Sequence, residues 1–212
     1  MSRLFIFDVD GTLIDDTHLL PLRKRALYSA LAERYGCSLA GAEKMLSKTK
    51  SCMPEERKHT TAYVFEELGF TREEVFAILD GVSPEGLVKL FPGVKEMLDR
   101  LSEKNSLIIY SNTPSKALHA SLRHLCIEDY FKRIYSSDQY EFSKPSPSLL
   151  QRIIEENGFS PTGTTVVGDS LKKDVLPAVE VGAWGVWFAP KEVPDEREGY
   201  EVVPSFDDWV GS

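Results

Sequence analysis

The chain has 212 residues, of which 42% are hydrophobic and 27% charged, an ordinary composition for a globular fold. Its 33 acidic residues outnumber its 25 basic residues and give a net charge of −8, which argues against nucleic acid or an anionic membrane surface as a partner. No stretch of the sequence approaches the roughly 20 apolar residues that a membrane span needs.

Three cysteines, Cys37, Cys52 and Cys126, are widely spaced and form no CxxC motif. The apolar segment near the N-terminus is too short for a signal-peptide core and runs into acidic residues. We therefore expect reduced, buried thiols in a cytoplasmic protein. The sequence does not indicate an oligomeric state.

The first predicted element is an apolar strand, residues 4–7, that leads into Asp8 and Asp10 and breaks at Gly11. Such an apolar run is typical of a strand buried on both faces of a parallel sheet, and such sheets bind ligands beyond the carboxyl ends of their strands. Because side chains alternate along a strand, both carboxylates are expected to point the same way. Two carboxylates this close indicate a bound cation or a proton exchange, and the alternative is an ordinary Asp-Gly turn.

From about Leu19 to Leu90 the patterns are helical, and no strand is predicted there. The predicted helices run from Pro21 to Gly36, from Ala42 to Lys48, from Pro54 to Gly69, and from the capping box Thr71–Glu74 to Gly81. We expect a helical cap domain over residues 16–90, inserted into a core domain of residues 1–15 and 91–212.

After Gly93, helices and strands alternate along the chain. Strands are predicted at Leu107–Tyr110, Arg133–Tyr135, Thr164–Val167 and Trp184–Phe188, and helices after Gly93, at Thr113-Pro114 and at Ser146-Pro147. This alternation indicates the α/β class, with a doubly wound, Rossmann-like parallel sheet. The segment from Pro190 to Glu201 is expected to be a solvated loop.

Polar side chains follow the carboxyl ends of the predicted strands. Ser111 and Asn112 come after the second strand, and Asp169 and Asp174 after the fourth. Lys144 lies in a loop that is expected to reach the same edge of the sheet. Acids gathered at one edge suit Mg²⁺, whereas Ser111, free helix N–H groups and Lys144 suit a phosphate group.

This order of motifs closely resembles that of the haloacid dehalogenase-like hydrolase superfamily, in its phosphatase branch with a small helical cap after the first motif. The matching motifs are Asp8-Val9-Asp10-Gly11-Thr12-Leu13, Ser111-Asn112-Thr113, Lys144-Pro145, and Gly168-Asp169-Ser170 with Asp174. The resemblance covers nearly the whole chain. It implies a Mg²⁺-dependent phosphatase that hydrolyses a small phosphorylated metabolite through an aspartyl-phosphate intermediate.

The resemblance also implies a role for each matching residue. Asp8 is similar to the family's nucleophile and a metal ligand, and Asp10 to its general acid and base, whose backbone carbonyl also ligates the metal. Asp169 resembles a carboxylate that holds the metal directly or through an intervening group, with Asp174 as its partner. The residues that resemble the phosphate-binding set are Ser111, Asn112 and Lys144. We expect the carboxyl oxygens at positions 8, 10 and 169 to surround one Mg²⁺, with the Lys144 ammonium facing it.

Several of these residues have a structural alternative. Asp174, with Pro177 three residues later, suits a helix N-cap. Asp169 suits a turn, Lys144 an exposed loop, and the Ser111-Asn112 pair simple capping. A calcium-binding loop beginning at Asp8 would need glycine and glutamate at positions 13 and 19, and the chain has leucine at both.

The predicted cap also carries the basic run Arg23-Lys24-Arg25, which is either a solvated face or a source of one cation that turns toward the substrate when the cap closes. A closing lid excludes water and macromolecules, which favours a small substrate such as a phosphoglycolate, a sugar phosphate or a nucleotide monophosphate. Two alternatives stay open: a phosphomutase, which would keep Asp8 and Asp10, and a non-catalytic phosphate-binding module. A dehalogenase would not need Asp10.

Overall fold

The structure is a computed structural model that describes residues 2–58, 60–140, 144–191 and 195–207, together with Trp209 and Gly211. The strands are β1 (Leu4–Phe7), β2 (Ile14–Asp15), β3 (Lys89–Leu90), β4 (Ser106–Tyr110), β5 (Arg133–Tyr135), β6 (Thr164–Gly168), β7 (Trp184–Phe188), β8 (Asp195–Arg197) and β9 (Tyr200–Val203). The helices are α1 (Leu19–Tyr35), α2 (Leu39–Cys52), α3 (Glu55–Lys58), α4 (Thr61–Glu67), α5 (Arg72–Asp80), α6 (Val94–Ser102), α7 (Ser115–His124), α8 (Pro147–Glu156) and α9 (Leu176–Glu180). None of the helices in the described part of the chain has the length and apolar character needed to cross a membrane.

Seven strands form one sheet in the order β5-β4-β1-β6-β7-β9-β8, in which every pairing is parallel except that of β8 with β9. β1 is central, and its alternate side chains serve two cores. Phe5 and Phe7 pack with α6 and α7 on one face, while Leu4 and Ile6 pack with α8 on the other. The sheet is therefore covered on both faces, which confirms the predicted fold class.

The prediction of a solvated loop from Pro190 to Glu201 was wrong. Residues 192–194 lie outside the described part, but β8 and β9 fall in the remainder and extend the sheet. The side chains of Tyr200 and Val202 are 8% and 4% exposed and pack on Val175, while Glu201 between them is less buried. The surrounding Glu, Pro and Lys residues masked this short alternation in the sequence.

Helices α1, α2, α4 and α5 surround a hydrophobic core of their own, which includes Leu31, Phe65 and Val75. Two details differ from the sequence prediction. The helix predicted from Pro54 to Gly69 is interrupted, since Thr60 between α3 and α4 has an extended backbone. In addition, β3 pairs antiparallel with β2, so the helical segment is flanked by a two-stranded ribbon. A strand of two residues is too short to show a periodic pattern in the sequence. The proposed division of the chain into two domains stays a prediction.

All three cysteines are free, and they are less buried than predicted. Cys37 is half-buried, and Cys52 and Cys126 are exposed. Cys126 has a φ of 56° just after α7, so it occupies a left-handed position at a helix end and not a place in the core. The predicted cytoplasmic location stays a prediction.

Candidate active site

A cavity of about 400 Å³ lies at the carboxyl ends of β1, β4 and β6, beneath helices α1, α4 and α5. Polar residues from the sheet side line its floor: Asp8, Asp10, Ser111, Asn112, Lys144, Asp169 and Asp174. Its opposite wall is largely apolar: Leu20, Leu27, Ala62, Val75, Phe76 and Leu79. Arg72 of α5 donates to the carbonyl oxygens of Ser137 and Tyr140 at 3.0 and 3.3 Å, which ties the helical segment to the sheet beside the cavity.

Asp8 lies directly after β1, where its N–H donates to the Val167 carbonyl at 2.9 Å. Its Oδ1 accepts a hydrogen bond from Lys144 Nζ at 2.8 Å, and its Oδ2 accepts one from the Thr12 hydroxyl at 3.1 Å. The same hydroxyl accepts the N–H of Asp169 at 2.8 Å. Thr12 therefore joins the loops that follow β1 and β6.

Lys144 is 4% exposed, and its Nζ lies 2.7 Å from Asp174 Oδ1 as well as close to Asp8. Burial by itself would lower the pKa of this ammonium, but the Asp174 and Asp8 carboxylates outweigh burial and hold the pKa above its ordinary value. The lysine is thus a charged, fixed group within the cavity floor and not an exposed loop residue.

Carboxylate oxygens of Asp8, Asp169 and Asp174 all lie within 4.8 Å of one another. Asp174 is buried, whereas Asp169 keeps an exposed surface. Desolvation of the carboxyl groups, together with the charges of neighbouring carboxylates, raises the pKa of Asp169 to about 7 and that of Asp174 to about 6. Such a set of hard oxygen donors fits a divalent cation such as Mg²⁺. Both oxygens of Asp174 are already engaged, since Oδ1 accepts from Lys144 and Oδ2 accepts the Ser170 N–H at 3.2 Å.

Two glycines allow these carboxylates to approach the backbone. A Cβ at Gly168 would lie 2.4 Å from the Cβ of Asp174, and a Cβ at Gly11 would lie 2.7 Å from Asp169 Oδ2. Gly11 also has a φ of +84°.

The helix N-cap role considered for Asp174 was wrong, because Ser170 caps the π-helical turn Leu171–Val175 that contains it.

Asp10 departs from the expected arrangement. Its carboxylate lies outside the cluster of described carboxylates formed by Asp8, Asp169 and Asp174. Instead, Oδ2 accepts a hydrogen bond from the Thr113 hydroxyl, and Oδ1 lies 3.9 Å from Arg23 Nη1. The expectation that its side chain joins Asp8 around one ion was wrong because β1 ends at Phe7, so the alternation of a strand no longer applies.

The surroundings of Asp10 favour its protonated form. Burial raises the pKa of this carboxyl above its ordinary value, and the charge of Asp8 adds to the effect. The guanidinium of Arg23 and the hydrogen bond from Thr113 oppose the shift without cancelling it. A carboxyl with a raised pKa is better suited to give up a proton as a general acid than an ordinary aspartate is.

The motif after β4 also differs in detail from its predicted use. Ser111 is 2% exposed, and its Oγ accepts the Thr113 N–H at 3.1 Å. The Asn112 amide was predicted to bind phosphate, but it exchanges two hydrogen bonds with the Lys144 backbone, at 2.7 and 3.2 Å. Helix α7 begins at Ser115, so Thr113 is not its N-cap and its hydroxyl is used on Asp10.

The sequence left Arg23 with two interpretations, and the structure supports the second one. Arg23 is 6% exposed and lines the cavity, whereas Lys24 and Arg25 beside it are exposed. Sequence reasoning missed the contributions of Asp16 and Thr60, which also line the cavity. An aspartate and a threonine beside helix starts are common capping residues, so neither gave a distinctive signal.

Comparison with known proteins agrees with this geometry. Residues 5–187 match the sequence model of the haloacid dehalogenase-like hydrolase family. A phosphoglycolate phosphatase of Vibrio vulnificus is 29% identical over 192 residues, which cover 85% of this chain and 80% of the relative. A glyceraldehyde 3-phosphate phosphatase of Pyrococcus abyssi is 25% identical over 195 residues, which cover 89% of this chain and 82% of the relative.

The fold is shared with solved structures. The crystal structure of a haloacid dehalogenase-like (HAD) phosphatase from Thermococcus onnurineus superposes with a TM-score of 0.72 at 24% identity, covering 97% of this chain and 94% of the other. The family match spans most of the chain and includes all the motif residues of the cavity floor. The chain therefore belongs to the haloacid dehalogenase-like hydrolases, which confirms the predicted resemblance and the prediction of an enzyme of the phosphatase branch.

Proposed function

We propose that the enzyme is a Mg²⁺-dependent phosphatase that hydrolyses a small phosphorylated metabolite through a phosphoryl group carried on Asp8. The observation that supports this most strongly is that two acids of one cavity, Asp8 and Asp10, have different surroundings. The Asp8 carboxylate contacts Lys144 at 2.8 Å, whereas Asp10 two residues later has a raised pKa. A carboxylate held by a lysine cation, beside an acid whose pKa is raised, suits a nucleophile paired with a general acid.

Asp8 and Asp169 would hold the Mg²⁺ through their carboxylates, and Asp10 through its backbone carbonyl. When bound, the ion would neutralise charge on the transferring phosphoryl group and reduce its repulsion from Asp8. Asp174 would act mainly through Lys144, which it contacts at 2.7 Å.

In the first step, an oxygen of the Asp8 carboxylate attacks phosphorus while the bond from phosphorus to the ester oxygen breaks. The proton on Asp10 moves to that ester oxygen, so the leaving group departs as a neutral alcohol. Lys144 stays charged and compensates the negative charge that accumulates around phosphorus.

In the second step, a water oxygen attacks phosphorus and breaks its bond to Asp8. Asp10, now ionised, takes a proton from that water and returns to its starting state. Ser111 and the N–H groups of the loop after β4 are suited to hold the phosphoryl oxygens in both steps, with Asn112 fixing the backbone that carries Lys144.

The substrate class is inferred from cavity size and from the relatives. A cavity of about 400 Å³ with one apolar wall suits a small molecule and excludes a macromolecule. The relatives from Vibrio vulnificus and Pyrococcus abyssi are named for a phosphorylated acid of two carbons and a phosphorylated aldehyde of three carbons. We infer a substrate of similar size for this enzyme.

The proposal is tested by measuring phosphate release from an aryl phosphate with and without Mg²⁺. We expect turnover only with the metal, and a loss on the order of a thousandfold or more in Asp8→Asn. Asp129→Asn, which changes an exposed acid that does not line the cavity, is the matched control and is expected to keep full activity. Wild-type protein that is inert with several divalent metals would favour a non-catalytic binding module.

A metabolite panel separates a phosphatase from a phosphomutase. Free phosphate and isomerised sugar phosphates are measured in the same reactions. Phosphate release without isomers supports the proposal, whereas isomers that accumulate ahead of phosphate would identify a mutase.

A further inference from the structure

The ammonium group of Lys144 has three partners, and one of them is an aromatic ring. Nζ donates to Asp8 Oδ1 at 2.8 Å and to Asp174 Oδ1 at 2.7 Å. It also lies over the ring of Tyr110, 4.9 Å from the ring centroid. An ammonium has three N–H donors, and within the described part of the chain only two of them find an acceptor. The ring face is therefore a contact of the ammonium that no hydrogen bond duplicates.

The hydroxyl group of Tyr110 does not take part in this contact. Tyr110 is the last residue of β4, is 6% exposed, and packs with Leu149 and Leu150 of α8. Its Oη has no hydrogen-bond partner among the described residues. Burial raises the pKa of the hydroxyl to about 12, so it carries no charge near neutral pH. The ring is thus the part of the side chain that acts on Lys144.

The contact suits a cation that must stay in place while its partners change. The face of an aromatic ring attracts a cation within about 6 Å, most strongly where both groups are desolvated. Lys144 is 4% exposed and Tyr110 6%. In the proposed first step Asp8 loses its negative charge as its oxygen bonds to phosphorus. The attraction of the ammonium to Asp8 then weakens, whereas its attraction to the ring does not.

We propose that Tyr110 is a positioning residue for phosphoryl transfer, which holds the Lys144 ammonium beside Asp8 through the face of its ring. The effect on catalysis rests on the proposed phosphatase function, but the contact can be measured without turnover. The competing explanation is that Tyr110 only fills the core beside α8. A side chain that only fills space acts through its size and shape, whereas a contact with a cation also depends on the electron density of the ring.

The test replaces Tyr110 by phenylalanine and by phenylalanines that carry one, two or three ring fluorines, introduced by codon suppression. Fluorine withdraws electron density from the ring face with little change in size. Tyr110→Phe should keep kcat/KM on the aryl phosphate within about twofold, because the lost hydroxyl has no partner. The fluorinated series should then decrease stepwise, to about tenfold below phenylalanine with three fluorines, and Tyr110→Leu should lose at least as much.

The matched control is the same series at Phe206, a buried ring that stacks on Phe188 and does not line the cavity. Fluorination there should leave kcat/KM within about twofold. A decrease at Phe206 equal to that at Tyr110 would show that fluorine acts through packing, and it would overturn the positioning role.

A double-mutant cycle reads the contact without turnover, by urea unfolding of the metal-free protein. Between phenylalanine and trifluorophenylalanine at position 110, the unfolding equilibrium constant should rise about tenfold in the wild-type background. With Lys144→Met the rise should be less than about twofold. If Lys144→Met does not fold, the comparison with the Phe206 series in the wild-type background decides.

No change in unfolding along the Tyr110 series, or an equal change with Lys144→Met, would overturn the inference. The proposed function is judged separately from these results. A protein that shows the coupling in unfolding but no phosphate release would overturn the phosphatase and leave the contact standing. Turnover that is the same along the whole Tyr110 series would overturn the positioning role and leave the phosphatase standing.

Discussion

Replacement of Lys144 by methionine removes the cation between Asp8 and Asp174 and keeps a side chain of similar length. Nζ lies 2.8 Å from Asp8 Oδ1 and 2.7 Å from Asp174 Oδ1. At an effective dielectric constant of about 20, each contact has a Coulomb energy of about 6 kcal/mol, before desolvation is counted. Desolvation cancels much of that energy, and removal of one partner from a buried pair costs about 3–5 kcal/mol net. We expect that loss for Lys144→Met.

Urea unfolding followed by circular dichroism, at pH 8 without divalent metal, measures this loss. In the metal-free variant, three carboxylates that lie within 4.8 Å of one another lack the neighbouring lysine cation. At pH 5 the loss should shrink, because the pKa of Asp174 is raised to about 6 even beside Lys144, so that carboxyl becomes neutral. Lys116→Met, at an exposed position of α7, should stay within about 0.5 kcal/mol of the wild type.

A decrease of less than about 1 kcal/mol in the free energy of unfolding of Lys144→Met at pH 8, well below the cost of an uncompensated buried charge, would contradict this role of Lys144. A loss that did not depend on pH would also contradict it, since simple changes in packing are insensitive to protonation.

Three further changes test separate contacts. Thr113→Val removes the hydrogen bond that lowers the pKa of Asp10, so the alkaline limb of kcat/KM should move to higher pH. In the metal-free protein the pKa of Asp169 is raised from 3.8 to about 7. Between these two pH values the native state binds more protons than the unfolded chain, so the free energy of unfolding falls as the pH rises from the lower value to the higher one. Mg²⁺ removes this penalty, and its increase in Tm should be larger at pH 8 than at pH 5. Gly168→Ala places a Cβ 2.4 Å from that of Asp174, and we expect a destabilisation of about 1–3 kcal/mol with reduced activity.

Each of these has a control or a contradicting result. Gly163→Ala, where a Cβ would lie 3.5 Å from Ser160 Oγ, should be tolerated, and equal stability of both alanine variants would argue against the close approach of Asp174. An alkaline limb that moves to lower pH in Thr113→Val would show that Asp10 is not the group that titrates. A Tm increase from Mg²⁺ that is as large at pH 5 as at pH 8 would exclude Asp169 as a metal ligand.

The sheet and the residues at its edge were predictable from sequence because a strand buried on both faces has an unbroken apolar run. The runs that end before Asp8, Ser111 and Asp169 are each short, apolar and succeeded by polar residues, so the sequence indicated both the strands and the polar groups at their carboxyl ends. The parallel order then brings those residues to one edge.

Contacts beyond the strand ends were not predictable, because no periodicity governs them. The side chain of Asp10 turns to Thr113 after β1 has ended, and Asn112 bonds to the backbone of a loop 32 residues away. In α1, Leu22 is 42% exposed and Arg23 6% exposed, the reverse of what residue type predicts. Only the packing of helices over the cavity makes that inversion visible.

The most direct test of the proposed chemistry is chemical trapping of the phosphorylated carboxylate. Enzyme mixed with substrate is quenched in acid and treated with borohydride, which reduces an acyl phosphate to an alcohol, and the peptides are then analysed by mass spectrometry. We expect homoserine at position 8. With an aryl phosphate, whose leaving group departs without a proton from Asp10, more of it should form in Asp10→Asn, because only the second step then lacks a catalytic group. Turnover with no modified residue, or modification at another acid, would contradict the assignment of Asp8 as the nucleophile.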